Sequence, residues 1–67
     1  MFKNEQKVYN EHEVANILNI SVKTLQQWRH LGKPPVYIKC GRSVRYLSDD
    51  LMNFVENCKV TPLRENN

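Results

Sequence analysis

The sequence has little of what most enzymes and extracellular proteins depend on. Its 67 residues include two cysteines, two glycines and one tryptophan. Two cysteines do not make a disulfide framework, and two glycines do not form a glycine-rich phosphate loop. No apolar run approaches the roughly 20 residues of a membrane-spanning helix, and no charged-then-apolar leader opens the chain. We expect one small cytoplasmic domain with reduced thiols and little room for a deep substrate pocket, which argues against an enzyme.

Acidic residues are missing from the middle of the chain. All seven Asp and Glu residues lie outside residues 14–48, whereas six of the ten Lys and Arg residues lie within residues 21–46. The net charge is only +3, so the clustering of the positive charge says more than its amount. A merely solvated surface usually mixes both signs. An acid-free basic surface therefore predicts binding to a nucleic acid backbone.

A first helix is predicted over residues 11–18. Asn10 and Glu13 have the spacing of a capping box, which begins a helix by satisfying its free backbone N–H groups. Asn19 can adopt the left-handed conformation that ends a helix. Apolar residues at i, i+3 and i+4 form the expected buried stripe, which consists of Val14, Ile17 and Leu18.

A second helix is predicted over residues 22–31, after a turn of only about three residues. Ser21 is its expected N-cap, and Gly32 is suited to the position just past its end. A connection this short is typical of the two helices of a helix-turn-helix motif. The residues expected to face inward are Val22, Leu25, Trp28 and Leu31.

A β-hairpin is predicted after this helix. Pro34-Pro35 cannot extend a helix, and residues 36–39 favour a strand by composition. Gly41 suits a tight turn, after which a return strand begins with Val44 and Tyr46 on its inner face. Because a two-stranded hairpin is barely stable alone, it is expected to pack against the helices.

A third helix is predicted from Ser48, taken as its N-cap, with Asp49 and Asp50 in the first turn. The residues of its apolar stripe are Leu51, Phe54, Val55 and Cys58. The helix is expected to lie across the first two and close the core. The predicted fold class is mainly α with a small two-stranded β-hairpin: a winged helix-turn-helix of three helices plus a wing, over residues 8–59, with flexible ends at 1–7 and 60–67.

Other kinds of site are less consistent with the sequence. A zinc site drawn from His12, His30, Cys40 and Cys58 lacks any metal-ligand spacing, and no catalytic signature supports a triad. We therefore expect no catalytic residues, no metal and no cofactor. Trp28 at helical spacing is expected in the core rather than on a base, and the aromatics are too few for a single-strand stacking platform.

A family likeness rests on an ordered series of motifs. The series is A-x-x-L-x-I-S-x-x-T-L-x-x-W-x-x-x-G, then P-P, then G-R-x-V-R-Y. On these motifs, residues 14–54 resemble the excisionase-like helix-turn-helix domain, which is related to the DNA-binding domain of MerR-type regulators. The resemblance implies that the second helix enters the major groove and that the wing contacts the adjacent backbone or minor groove. It also implies that Ser21 caps the second helix beside a phosphate.

Residue chemistry agrees with these positions, because Gln and Arg read base edges while Lys and Thr hold phosphates or single atoms. The expected contacts from the second helix are Ser21, Lys23, Thr24, Gln26, Gln27, Arg29 and His30. The expected contacts from the wing are Lys39, Arg42, Ser43 and Arg45.

The resemblance also implies a class of function. Small members of such families are often excisionases of phages and mobile elements, which bind repeated sites, bend DNA and promote integrase-mediated excision without chemistry of their own. The implied partners are double-stranded DNA, further copies of the chain and a site-specific integrase. The implied location is the cytoplasm, in association with the nucleoid. Two alternatives stay open: a small prophage-type transcriptional regulator of the AlpA type, and a protein-interaction module or inhibitor.

Overall fold

A computed structural model describes residues 6–62 of the chain. The helices in this part are α1 (Glu11–Leu18), α2 (Val22–His30) and α3 (Ser48–Asn57), and the strands are β1 (Val8–Tyr9), β2 (Ile38–Cys40) and β3 (Ser43–Leu47). This order of helices and strands confirms the predicted winged helix-turn-helix. Residues 1–5 and 63–67 of the predicted flexible ends lie outside the described part. Among residues 6–62, no helix has the length and apolar character needed to cross a membrane.

The boundaries of α1 agree with the sequence prediction. The Asn10 side chain accepts a hydrogen bond from the Glu13 backbone N–H at 2.8 Å, and the Glu13 carboxylate accepts one from the Asn10 N–H at 2.9 Å. Asn19 ends the helix in the left-handed region, at φ 58°. The capping box therefore forms as predicted and satisfies two of the N–H groups that a helix start leaves free.

The second helix ends one residue earlier than predicted, at His30. Gly32 adopts φ 74°, and its backbone N–H donates to the Arg29 carbonyl at 3.1 Å while that of Lys33 donates to the Trp28 carbonyl at 2.8 Å. These two bonds form a Schellman motif, whose left-handed residue costs glycine little because it has no Cβ. The predicted role of Gly32 is confirmed.

The sheet has a third strand that the sequence prediction did not include. β3 lies in the centre, with β2 antiparallel on one side and β1 antiparallel on the other. The prediction of a two-stranded sheet was therefore incomplete, because β1 contains only Val8 and Tyr9 and is too short to show an alternating pattern. The hairpin itself forms, although β2 begins at Ile38 rather than at residue 36.

The prediction that Ser48 caps α3 is wrong. The N-cap is Leu47, whose side chain cannot accept hydrogen bonds from the free backbone N–H groups. The Ser48 hydroxyl instead accepts from the Lys7 backbone N–H at 2.9 Å, and the Lys7 carbonyl accepts from the Ser48 N–H at 2.8 Å. The Gln6 side chain accepts from the Asp49 N–H at 3.2 Å. The segment before β1 thus supplies partners to the start of α3.

Side chains from all three helices and from β3 form the core. The fully buried apolar residues are Val14, Ala15, Leu25, Tyr46 and Leu51. Trp28 packs against this core, with its ring centroid 6.0 Å from that of Phe54. The inward position predicted for Trp28 is therefore confirmed.

Four residues that were predicted to face inward are exposed instead. They are Ile17, Leu31, Val55 and Cys58. Leu31 lies past the end of α2, at its C-cap. α3 lies closest to β3, and Ile17 and Val55 line an open groove at the margin between α1 and α3. α3 still contacts the first two helices, because Leu51 joins Val14 and Leu25 in the core and Phe54 packs on Trp28.

Candidate nucleic-acid interface

One side of α2 carries a row of exposed polar side chains. Lys23, Gln27 and His30 stand at i, i+4 and i+7, so they follow one another along a single helix face. Leu25 lies on the opposite side and is completely buried. We call Lys23, Gln27 and His30 the outer row of α2. Its members lie where the sequence predicted base and phosphate contacts.

The start of α2 is closed by a local hydrogen-bond pair. The Ser21 hydroxyl accepts from the Thr24 backbone N–H at 3.0 Å and donates to the Thr24 hydroxyl at 2.9 Å. Ser21 is thereby confirmed as the N-cap of the helix. Its predicted contact with a phosphate, like that of Thr24, stays a prediction.

The other polar flank of α2 is directed toward α1. Gln26 donates from Nε2 to Glu11 Oε2 at 3.0 Å, and Arg29 donates from Nη2 to Glu11 Oε1 at 3.2 Å. Arg29 also donates from Nη1 to the hydroxyl of Tyr46 at 3.0 Å. We call Glu11, Gln26, Arg29 and Tyr46 the flank network. It connects α1, α2 and β3.

The structure places Arg29 differently from the outer-surface position that the sequence suggested. Its side chain is only 20% exposed, and its guanidinium lies 5.7 Å from the ring centroid of Tyr37. Burial lowers the pKa of Arg29, but its hydrogen bonds and charge interactions with Tyr46 and Glu11 outweigh that effect and leave the pKa above its ordinary value. This cation is therefore already committed to contacts within the fold.

The wing presents its cations around the β2–β3 turn. Gly41 adopts φ 62° at the turn, and Arg42 stands exposed beside it. Lys39 and Ser43 are also exposed, on the two paired strands. Arg45 is half-buried and donates from Nη1 to the Val44 carbonyl at 2.8 Å. The structure thus brings the four predicted wing residues together on one hairpin.

A shallow groove of about 330 Å³ joins the wing to the start of α1. Its lining consists of Asn10, Glu11 and His12 from the start of α1, Arg29 from α2, and Arg42, Ser43, Val44 and Arg45 from the wing. The sequence prediction did not include Asn10 or His12 among the contact candidates, because both precede the acid-free window and nothing in their spacing relates them to the wing. Arginine, asparagine and serine side chains can hold a phosphate oxygen, and the Glu11 carboxylate in the same groove is paired with Arg29 at 3.2 Å.

The described residues do not suggest a metal centre. Within residues 6–62, no three His, Cys, Asp or Glu side chains come together in a way that could hold a metal ion. Cys40 and Cys58 both lie within the described residues, where they are exposed free thiols. The exposure of Cys58 also corrects its predicted place in the core.

A family model described as a helix-turn-helix domain matches residues 8–59, which include every helix and strand given above. The chain belongs to the helix-turn-helix domain family. This family includes excisionase-like and AlpA-type domains, so the resemblance seen in the sequence is confirmed. No curated protein and no solved structure matches the chain significantly.

Membership in this family establishes the general activity of the chain. It is a DNA-binding helix-turn-helix protein whose partner is double-stranded DNA. Families of this type are typically non-enzymatic. The second helix of a helix-turn-helix motif generally enters the major groove. In this chain α2 is the second helix in the order of elements.

Proposed function

We propose that this helix-turn-helix protein recognises a specific DNA sequence by placing the outer row of α2 in the major groove and its wing on the adjacent backbone or minor groove. The observation that carries the proposal is the exposure of Lys23, Gln27 and His30 along one helix face. Glutamine reads base edges and lysine holds phosphates. A helix in the major groove brings such side chains within reach of both.

Phosphate neutralisation supplies most of the affinity in this proposal. We expect roughly four to six basic groups to contact phosphates, so binding falls steeply as salt rises. A single module of this size buries only about 600–1,000 Å² of protein surface on DNA. A lone copy is therefore expected to bind weakly, and useful specificity requires several copies or a partner protein.

The biological role that this mode of binding favours is that of an excisionase. The chain would bind repeated sites at the end of a mobile element, bend the DNA and promote assembly of the integrase excision complex. One observation supports this role: the family includes excisionase-like domains. The exposed Lys39 and Arg42 of the wing are also placed where they could hold the DNA backbone.

The alternative role is that of a small prophage-type transcriptional regulator, which the AlpA-type members of the same family favour. Footprinting of the chain on element-end DNA and on promoter DNA distinguishes the two roles. Stepwise occupancy of several adjacent sites at an element end, together with stimulated excision by the cognate integrase, supports the excisionase. Occupancy of a single promoter site without an effect on excision supports the regulator.

If the chain binds neither DNA fragment, both roles are contradicted and a protein-interaction module is favoured. In that case, replacing Lys23, Gln27 and Arg42 by alanine would leave the activity of the chain unchanged. The DNA-binding proposal predicts the opposite, because these three side chains are exposed on α2 and at the wing tip.

A further inference from the structure

The carboxylate of Glu11 is held between two side chains of α2. Its Oε1 accepts from Arg29 at 3.2 Å, and its Oε2 accepts from Gln26 at 3.0 Å. Arg29 is itself anchored on the hydroxyl of Tyr46, a side chain that is 1% exposed. The contact of Arg29 with the buried Tyr46 therefore fixes the position of Glu11, whose side chain is only 23% exposed.

This position determines which way the Gln26 amide faces. A carboxylate only accepts hydrogen bonds, so Gln26 must direct its NH₂ group, and not its carbonyl oxygen, at Glu11. A glutamine amide has two N–H donors and one carbonyl acceptor. One donor is used by Glu11, which leaves one N–H and the carbonyl oxygen on an exposed side chain of α2.

A donor next to an acceptor is the pattern that matches adenine. In the major groove adenine offers its N6 amino group as a donor and N7 as an acceptor, whereas guanine offers two acceptors, O6 and N7. A freely rotating glutamine can turn its NH₂ group toward guanine. With the NH₂ group directed at Glu11, the carbonyl oxygen of Gln26 would face a guanine acceptor, which is unfavourable.

We infer that Gln26 is a specificity-determining residue that selects adenine over guanine, and that Glu11 is the positioning residue that imposes this choice. The inference rests on the proposed insertion of α2 into the major groove. It also gives Arg29 a definite function: Arg29 neutralises Glu11 beside the DNA and holds it in place, instead of reading a base itself.

Selection of bound duplexes from a randomised library tests the first part. Wild-type protein and the variant Gln26→Ala are compared, and the base pair at which Gln26→Ala loses its preference identifies the position that Gln26 reads. Adenine is expected there in the wild-type selection, favoured over guanine by roughly 5- to 150-fold, as for a good bidentate contact. Guanine at that position, or a preference unchanged by Gln26→Ala, would overturn the inference.

The variant Glu11→Gln tests the second part. A glutamine at this position can either donate or accept, so the Gln26 amide is free to turn over. We expect the preference for adenine over guanine to fall toward parity at that single base pair, while the preferences elsewhere are retained. An undiminished adenine preference would show that Glu11 does not orient Gln26.

The matched control is Glu13→Gln. It removes one negative charge from the same helix, and glutamine also serves in a capping box, so α1 is expected to remain intact. The adenine preference should be unchanged in this variant. An equal loss in Glu13→Gln and Glu11→Gln would point to charge alone and overturn the positioning role.

Two further outcomes are separated by the same data. Thermal unfolding of Glu11→Gln shows whether that variant folds. If it does not, the comparison of wild type with Gln26→Ala decides the first part of the inference, the selection of adenine by Gln26. If the wild-type protein selects no sequence at all, the proposed sequence-specific binding fails, and the inference fails with it. A selected sequence without adenine at the Gln26 position contradicts only the inference.

Discussion

The two polar sides of α2 differ in their partners. The outer row of Lys23, Gln27 and His30 is exposed. On the flank of the same helix, Gln26 and Arg29 donate hydrogen bonds to Glu11 of α1. Both sides carry a glutamine and a basic residue, so their composition does not distinguish them. What differs is the neighbouring structure: α1 and β3 lie along the flank, and solvent lies along the outer row.

The comparison shows that a basic residue in a helix expected to bind DNA can stabilise contacts within the protein instead of contacting DNA. Arg29 has the residue type expected of a base reader. Its two hydrogen bonds to Glu11 and Tyr46 instead join the two helices of the motif to the central strand of the sheet. The contacts of Arg29 and Glu11 therefore set where α2 lies relative to α1 and β3. In the proposed binding mode, the outer row and the exposed Gln26 are the side chains of α2 that contact DNA.

The largest effect is expected from Arg29→Ala. This change leaves the buried Tyr46 hydroxyl without its donor and Glu11 without its cation, and an unsatisfied buried group costs about 1–3 kcal/mol. We expect the free energy of unfolding, measured by urea denaturation, to fall by that amount. Lys23→Ala is the control, because a substitution in the exposed outer row should change stability by no more than about 0.5 kcal/mol. Equal losses in the two variants would remove the distinction between the two sides.

A more specific effect, on base preference and not on stability, is expected from Gln27→Ala. Gln27 lies in the middle of the outer row, so its loss should relax the preference at one base pair by about 1–3 kcal/mol without a change in stability. Binding to a panel of single-position site variants measures this preference. If every site variant is discriminated as well by Gln27→Ala as by the wild type, Gln27 does not read a base.

The smallest effect on specificity is expected from Arg42→Ala. Arg42 is exposed at the wing tip, and a phosphate contact there carries no base preference. We expect binding to all sequences to weaken alike, and the slope of log K against log salt to flatten by about 0.9 for one lost phosphate contact. A salt titration of the variant against the wild type measures that slope. An unaltered slope would exclude a phosphate contact from the wing tip.

Local sequence signals predicted those parts of the fold that depend on neighbouring residues. The capping box of Asn10 and Glu13, the Ser21 cap and the left-handed Gly32 all form as expected. Each involves backbone groups only a few residues away. For the same reason the limits of α1 and the start of α2 were predicted correctly.

The features that the sequence did not predict depend on residues far apart in the chain. Ser48 lost its expected capping role because Lys7, which precedes it by 41 positions, donates to its hydroxyl. Ile17 is 51% exposed because it lies at the edge of a groove that it lines with Leu51 and Val55 of α3, and not beneath that helix. The direction of Arg29 was equally hidden, since it depends on Glu11 and Tyr46. Periodicity identifies polar positions but not their partners.

The most direct test of the account is binding of the wild-type chain to its own upstream and element-end DNA, compared with random duplex at two salt concentrations. We expect tighter binding to one of these fragments than to random duplex, with both affinities falling as salt rises. In the proposed mode, phosphate contacts supply the affinity, and the outer row together with Gln26 supplies the choice of sequence. Equal affinity for all three duplexes at both salt concentrations would contradict it.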